Sequence, residues 1–178
     1  FKECVRHECD LEGDEEVLRY RGRFVKVEAF PLGVEFDRFS SRIRSKEVRS
    51  RIQAYRDEQK RKYCKLMLSV ERLDYTKGVP ERLRSFYSFL ERYPEWKEKV
   101  IFSMITVPSR ENVESYCALK EEVDGLVGQI NGKHATGSWT PVEYYYRSIG
   151  HEQLCSIYAS SDVMLVTPLR DGMNLVCK

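Results

Sequence analysis

Three short stretches place charged side chains next to residues that let a backbone approach a ligand. ERLDYTKG (71–78) carries Arg72 and then Lys77 just before Gly78. TVPSREN (106–112) carries Arg110, and PLRDGMN (168–174) carries Arg170 and Asp171 ahead of Gly172. A guanidinium is a planar fork that matches phosphate oxygens, and a lysine ammonium is a compact point charge. Glycine admits close backbone approach, and a helix opening after Asp171 would add N–H groups suited to phosphate. Two readings follow from the pattern alone. One is an anion site, with phosphate or a nucleotide as the ligand. The other is a set of solvated loop charges, since 33% of the chain is charged.

Other chemistries find little footing. The chain has no GxxxxGK[ST], no GxGxxG and no GxSxG. No Asp-x-Asp pair is present to hold a divalent metal on a diphosphate. His134 and His151 lack a local partner pattern and read as structural or solvated. Cys4, His7 and Cys9 in CVRHEC lack a second ligand pair, which argues for a solvated end segment over a metal site. Trp139 and the tyrosines at 144–146 read as packing.

The elements that must position the three charged stretches are legible as periodicities. KLMLSVE (65–71), VIFSMI (100–105) and DVMLVTP (162–168) are short apolar runs of strand length. Each charged stretch begins where one of them ends. Between them, Pro80 suits the first turn of a helix, with Leu83, Phe86, Tyr87 and Leu90 on one face. Val113, Tyr116, Leu119, Val123 and Leu126 predict a second helix over 110–127, followed by a Gly-rich loop over 128–140. Leu154, Ile157 and Tyr158 predict a third over 152–160, and DGMNLV opens a fourth. Further upstream, Val48, Ile52 and Tyr55 mark a basic helix over 46–62. FVKVEAF (24–30) reads as a strand running into the bend Pro31-Leu32-Gly33, while residues 1–20 have no clear period. Alternating strands and helices predict an α/β fold, a doubly wound parallel sheet covered on both faces. Ligands of such sheets lie beyond the carboxyl ends of the strands, where the cations fall.

Composition bounds the rest. The chain has 178 residues, 42% of them hydrophobic and 12% aromatic, which excludes a disordered chain. No apolar run approaches the roughly 18 residues of a membrane span. A net charge of +2 from 30 basic and 28 acidic residues points to neither nucleic acid nor a membrane surface. Six cysteines without a framework spacing suit a reduced, cytoplasmic chain. The start at Phe1 and the end at Lys178, inside what reads as an opening helix, suggest a fragment.

SVERLDYTKGVPERL, INGKHATGSWTP and SDVMLVTPLRDGMNLV together resemble the trehalose-6-phosphate synthase family, from about Gly22 to Lys178. The resemblance implies a retaining glycosyltransferase that moves glucose from UDP-glucose to glucose 6-phosphate. It implies the GT-B arrangement of two Rossmann-like domains. Residues 1–35 would then be a remnant of the N-terminal domain and 36–178 part of the nucleotide-sugar-binding C-terminal domain. By the same resemblance, Arg72 and Lys77 bind the donor diphosphate. Asp171, Gly172, Met173 and Asn174 hold the donor glucose, Leu175 and Val176 lie against the nucleotide, and Ile149 falls at the uracil. Arg110 matches the arginine for the acceptor's phosphate. No metal or other cofactor is expected. The family's ribose-binding glutamate and its acceptor loops lie outside these residues, so the isolated chain is expected to be inactive. The rival is a non-catalytic, sugar-nucleotide-binding regulatory homologue.

Overall fold

The computed structural model describes residues 3, 7, 8, 17–62 and 64–177. The chain divides into two compact units, residues 1–33 and 34–178. The expected boundary after residue 35 lies two residues further along. Cys4 and Cys9 fall outside the described residues. His7 is exposed, with Nδ1 3.2 Å from the Glu8 carboxylate.

In the first unit, β1 (Val17–Tyr20) pairs antiparallel with β2 (Arg23–Lys26). Arg21 and Gly22 form the turn, with φ of 47° and 75°. Two left-handed residues in a row match the right-handed twist of the flanking strands. The sequence therefore hides a strand in the stretch without a period. The expected strand over 24–30 stops at Lys26, and Phe24 and Phe30 are exposed.

The second unit is a sheet of four parallel strands in the order β5-β4-β3-β6. β3 (Lys65–Arg72) and β4 (Val100–Val107) are its centre, paired in register from Lys65 and Val100 to Arg72 and Val107. β6 (Val163–Met164) pairs with Met67 and Leu68 on one side, and β5 (Val142–Tyr146) runs beside β4 on the other. On one face, α3 (Val79–Arg92) and α4 (Glu114–His134) pack Leu83, Phe86, Leu90, Val123 and Ile130 against Leu66, Phe102 and Met104. On the other, Leu68, Val70 and Ile105 meet Ile157, with Tyr55 and Leu154 beside them. Those residues come from α2 (Lys46–Lys62) and α5 (His151–Ser160), which α1 (Phe36–Ile43) joins around Val48, Ile52 and Cys155. Burial of each such side chain is worth ~1.5–3 kcal/mol, and coverage of both faces is why β3 and β4 read as unbroken apolar runs.

Four expectations are corrected. The helix expected over 110–127 begins at Glu114 and continues to His134 through the supposed loop. The tyrosines at 144–146 form an edge strand as well as packing. The third apolar run contributes only Val163–Met164 to the ladder. The helix expected after Asp171 is a single turn, Leu175–Cys177. Its start is held by side chains, with the Asp171 carboxylate accepting from Met173 N–H at 3.2 Å and Asn174 Oδ1 accepting from Val176 N–H at 2.9 Å.

Candidate functional site

The carboxyl ends of β3 and β6 are sewn together by backbone. Asp74 caps the turn Tyr75–Lys77, accepting from Thr76 N–H at 2.9 Å and Thr76 Oγ1 at 2.7 Å. Thr76 O in turn accepts from Leu169 N–H at 2.9 Å and Arg170 N–H at 3.2 Å. Gly78 ends the turn with φ of 63°, and a Cβ there would lie 2.8 Å from the Thr167 carbonyl. Left-handed backbone and this close approach together require glycine.

The stitched loops bring two of the sequence-predicted residues into contact. Lys77 Nζ donates to Asp171 Oδ2 at 2.5 Å, and the two side chains are 15% and 14% exposed. The Lys77 hydrogen bond, with that from Met173, holds the Asp171 carboxyl below the usual carboxylate range. Gly172, Met173 and Asn174 follow on the same loop, and Leu175 and Val176 form the turn behind it.

A buried cluster supports the loops from below. Arg82, in the first turn of α3, donates to Thr167 Oγ1 at 2.9 Å and to the Lys77 carbonyl at 3.0 Å. It also donates to Ser69 Oγ and lies 3.7 Å from the Glu71 carboxylate. Burial pushes the Glu71 carboxyl up despite Arg82, Lys77 and an Asn174 hydrogen bond that pull it down. One guanidinium thus holds the backbone of Lys77 and the side chain of Thr167, one on each loop. The sequence reading missed Arg82 and Glu71. Their signal was an arginine beside Leu83 on the apolar face of a helix and a glutamate ending an apolar strand.

Arg72 is the last residue of β3 and is exposed, with its charge felt by Asp74. Arg110 does not start a helix. It lies four residues before α4 with φ of 50°, in the left-handed region. Its Nη1 donates to Tyr116 Oη at 3.1 Å, and Tyr116 Oη donates to Asp74 Oδ2 at 3.0 Å. Burial acts against it, yet bonds from Thr76 and Tyr116 hold the Asp74 carboxyl below its ordinary range. All three charged stretches are therefore connected, Lys77 to Asp171 directly and Arg110 to the Lys77 turn through Tyr116. Ile149 is separate from these contacts. It packs beside Ile105 and Ile157 and lines a cleft of about 180 Å³ with Tyr55, Tyr145 and Arg147. None of Lys77, Arg110 and Asp171 lines that cleft. Among the described residues, no group of three His, Cys, Asp or Glu could hold a metal ion.

A parallel, doubly covered sheet with cations and a carboxylate on the loops beyond its strand ends is the Rossmann-like C-terminal part of a GT-B glycosyltransferase. The chain belongs to glycosyltransferase family 20, whose family model matches residues 1–178. It is 45% identical over 176 residues to the UDP-forming α,α-trehalose-phosphate synthase of Pichia angusta, covering 99% of this chain and 37% of that protein. A UDP-forming α,α-trehalose-phosphate synthase from Burkholderia xenovorans in complex with glucose-6-phosphate superposes with a TM-score of 0.88 at 32% identity, over 97% of this chain and 38% of that one. A trehalose-6-phosphate structure from E. coli bound with UDP-2-fluoro glucose superposes with a TM-score of 0.85 at 33% identity, over 93% and 36%. The chain thus spans about a third of the length of these relatives.

Proposed function

We propose that this chain is the donor-binding part of a trehalose-6-phosphate synthase. In this reading the enzyme moves glucose from UDP-glucose to glucose 6-phosphate with retention of configuration. The observation that carries it is the stitched β3 and β6 loops, which present Lys77 and Asp171 side by side at the strand ends. The bond that breaks joins the anomeric carbon to the outer phosphate oxygen, and negative charge grows on the diphosphate. Arg72 and Lys77 face that charge as donors fixed before the reaction, the role a metal plays in other transferases. The diphosphate takes the place of Asp171 on Lys77 and frees the carboxylate for the hydroxyls of the donor glucose. Gly172, Met173 and Asn174 supply backbone around the same sugar, and Leu175, Val176 and Ile149 contact the nucleotide. The acceptor's anomeric hydroxyl attacks from the face the diphosphate leaves, and its proton passes to the departing phosphate oxygen. Arg110 holds the acceptor's phosphate. We place the enzyme in the cytoplasm, the setting that suits six cysteines without a framework spacing. No helix among the described residues is long and apolar enough to cross a membrane.

Initial rates with both substrates varied test the assignment in the enzyme containing this chain. Arg72→Ala or Lys77→Ala weakens UDP-glucose binding and slows transfer about a hundredfold, the effect of losing one donor at developing charge. Arg110→Ala raises the KM for glucose 6-phosphate and leaves UDP affinity unchanged within about threefold, the range expected of a remote surface charge. A wild-type KM for glucose 6-phosphate in Arg110→Ala refutes the acceptor role. Transfer that proceeds normally without Lys77 refutes its donor-side role, and transfer absent from the wild type favours the non-catalytic homologue.

A further inference from the structure

Tyr116 is used by neither substrate in the reading above, yet it stands between the two phosphate-binding groups. Its ring is buried, 4% exposed, in the first turn of α4. Its hydroxyl accepts from Arg110 at 3.1 Å and donates to Asp74 at 3.0 Å. The direction of both bonds is fixed by chemistry, because a guanidinium only donates and a carboxylate only accepts. The Arg110 guanidinium also lies 5.6 Å above the Tyr116 ring. At the far end, Asp74 caps the turn that carries Lys77, and Thr76 of that turn holds the backbone of Leu169 and Arg170.

We infer that Tyr116 is a positioning residue whose hydroxyl joins the acceptor-phosphate arginine to the donor-phosphate turn, so that each substrate's site depends on it. The inference rests on the roles proposed above for Lys77 and Arg110. Arg110 sits in left-handed backbone on a loop and is exposed, so its side chain needs an anchor to present a fixed fork. Asp74 likewise needs its second carboxylate oxygen held if the Lys77 turn is to keep its orientation. One buried phenol does both, and hydrogen bonds in series polarise one another.

The test is Tyr116→Phe in the enzyme containing this chain, which keeps the ring and removes only the hydroxyl. Loss of bonds to two charged groups weakens UDP affinity about fivefold to tenfold and raises the KM for glucose 6-phosphate by a similar factor. A residue that only fills space would leave both parameters at wild-type values in this variant. Movement of neither parameter, or of one alone, overturns the inference. Asp74→Asn is the second variant, at the far end from Arg110, and raises the KM for glucose 6-phosphate about threefold by loosening Tyr116. An unchanged KM there also overturns it. Failure of the underlying reading shows elsewhere, in Lys77→Ala with normal UDP affinity or Arg110→Ala with a normal KM.

Discussion

Arg82 is the residue on which the candidate site leans most. It is 3% exposed and lies 3.7 Å from Glu71, itself 5% exposed, so each sets an opposite charge against the other's lost water. Removing one partner of a buried pair costs ~3–5 kcal/mol, because the remaining charge is left unmatched. Arg82→Met is therefore expected to lower unfolding free energy by about that much near neutral pH. The loss should also depend on pH, with a definite sign. Burial already holds the Glu71 carboxyl above its unfolded value of 4.5. A carboxyl raised on folding contributes most below its unfolded value and loses that contribution as pH rises through the folded value. Without Arg82 the folded value rises further. Urea melts of Arg82→Met should thus show a smaller deficit near pH 4 than at about pH 7. Equal deficits at the two values would show that Glu71 does not feel Arg82.

At the scale of elements, the sequence is clear where apolar residues repeat and silent where other forces decide. β3, β4, α3 and α5 follow from unbroken or periodic apolar positions, with Arg72 at the end of β3 and Lys77 just before α3. Gly128 and Gly132 look like loop residues and would end α4 early. Yet Val123, Leu126, Val127, Ile130 and His134 continue the same face, and core packing overrides the glycines. β5 is hard to read because three consecutive tyrosines blur the alternation of an edge strand. The turn after Asp171 looked like a helix, but its first N–H groups are taken by Asp171 and Asn174. Nothing lies within 4 Å of a Cβ built on Gly128, which is exposed in mid-helix. Gly128→Ala is expected to raise stability by ~0.5–1 kcal/mol, the difference in helix propensity. A loss of stability in chemical denaturation would mean that this position needs glycine for a reason the helix does not supply.

Across the whole molecule, the sheet gathers residues as much as 94 positions apart in the chain. Lys77 and Asp171 meet because β3 and β6 are neighbours, and Arg110 joins them because β4 lies on the other side of β3. Sequence spacing could place each cation at a strand end but could not show the Tyr116 bridge or the Arg82 clamp, which are long-range contacts between side chains. In the proposed function, Arg72 and Lys77 hold the donor diphosphate without a metal. Titration of UDP and UMP into the protein in excess EDTA tests it most directly. UDP is expected to bind more tightly than UMP, and Lys77→Ala to remove the difference. Equal affinity for UDP and UMP in the wild type, or UDP binding that appears only when magnesium is restored, would contradict it.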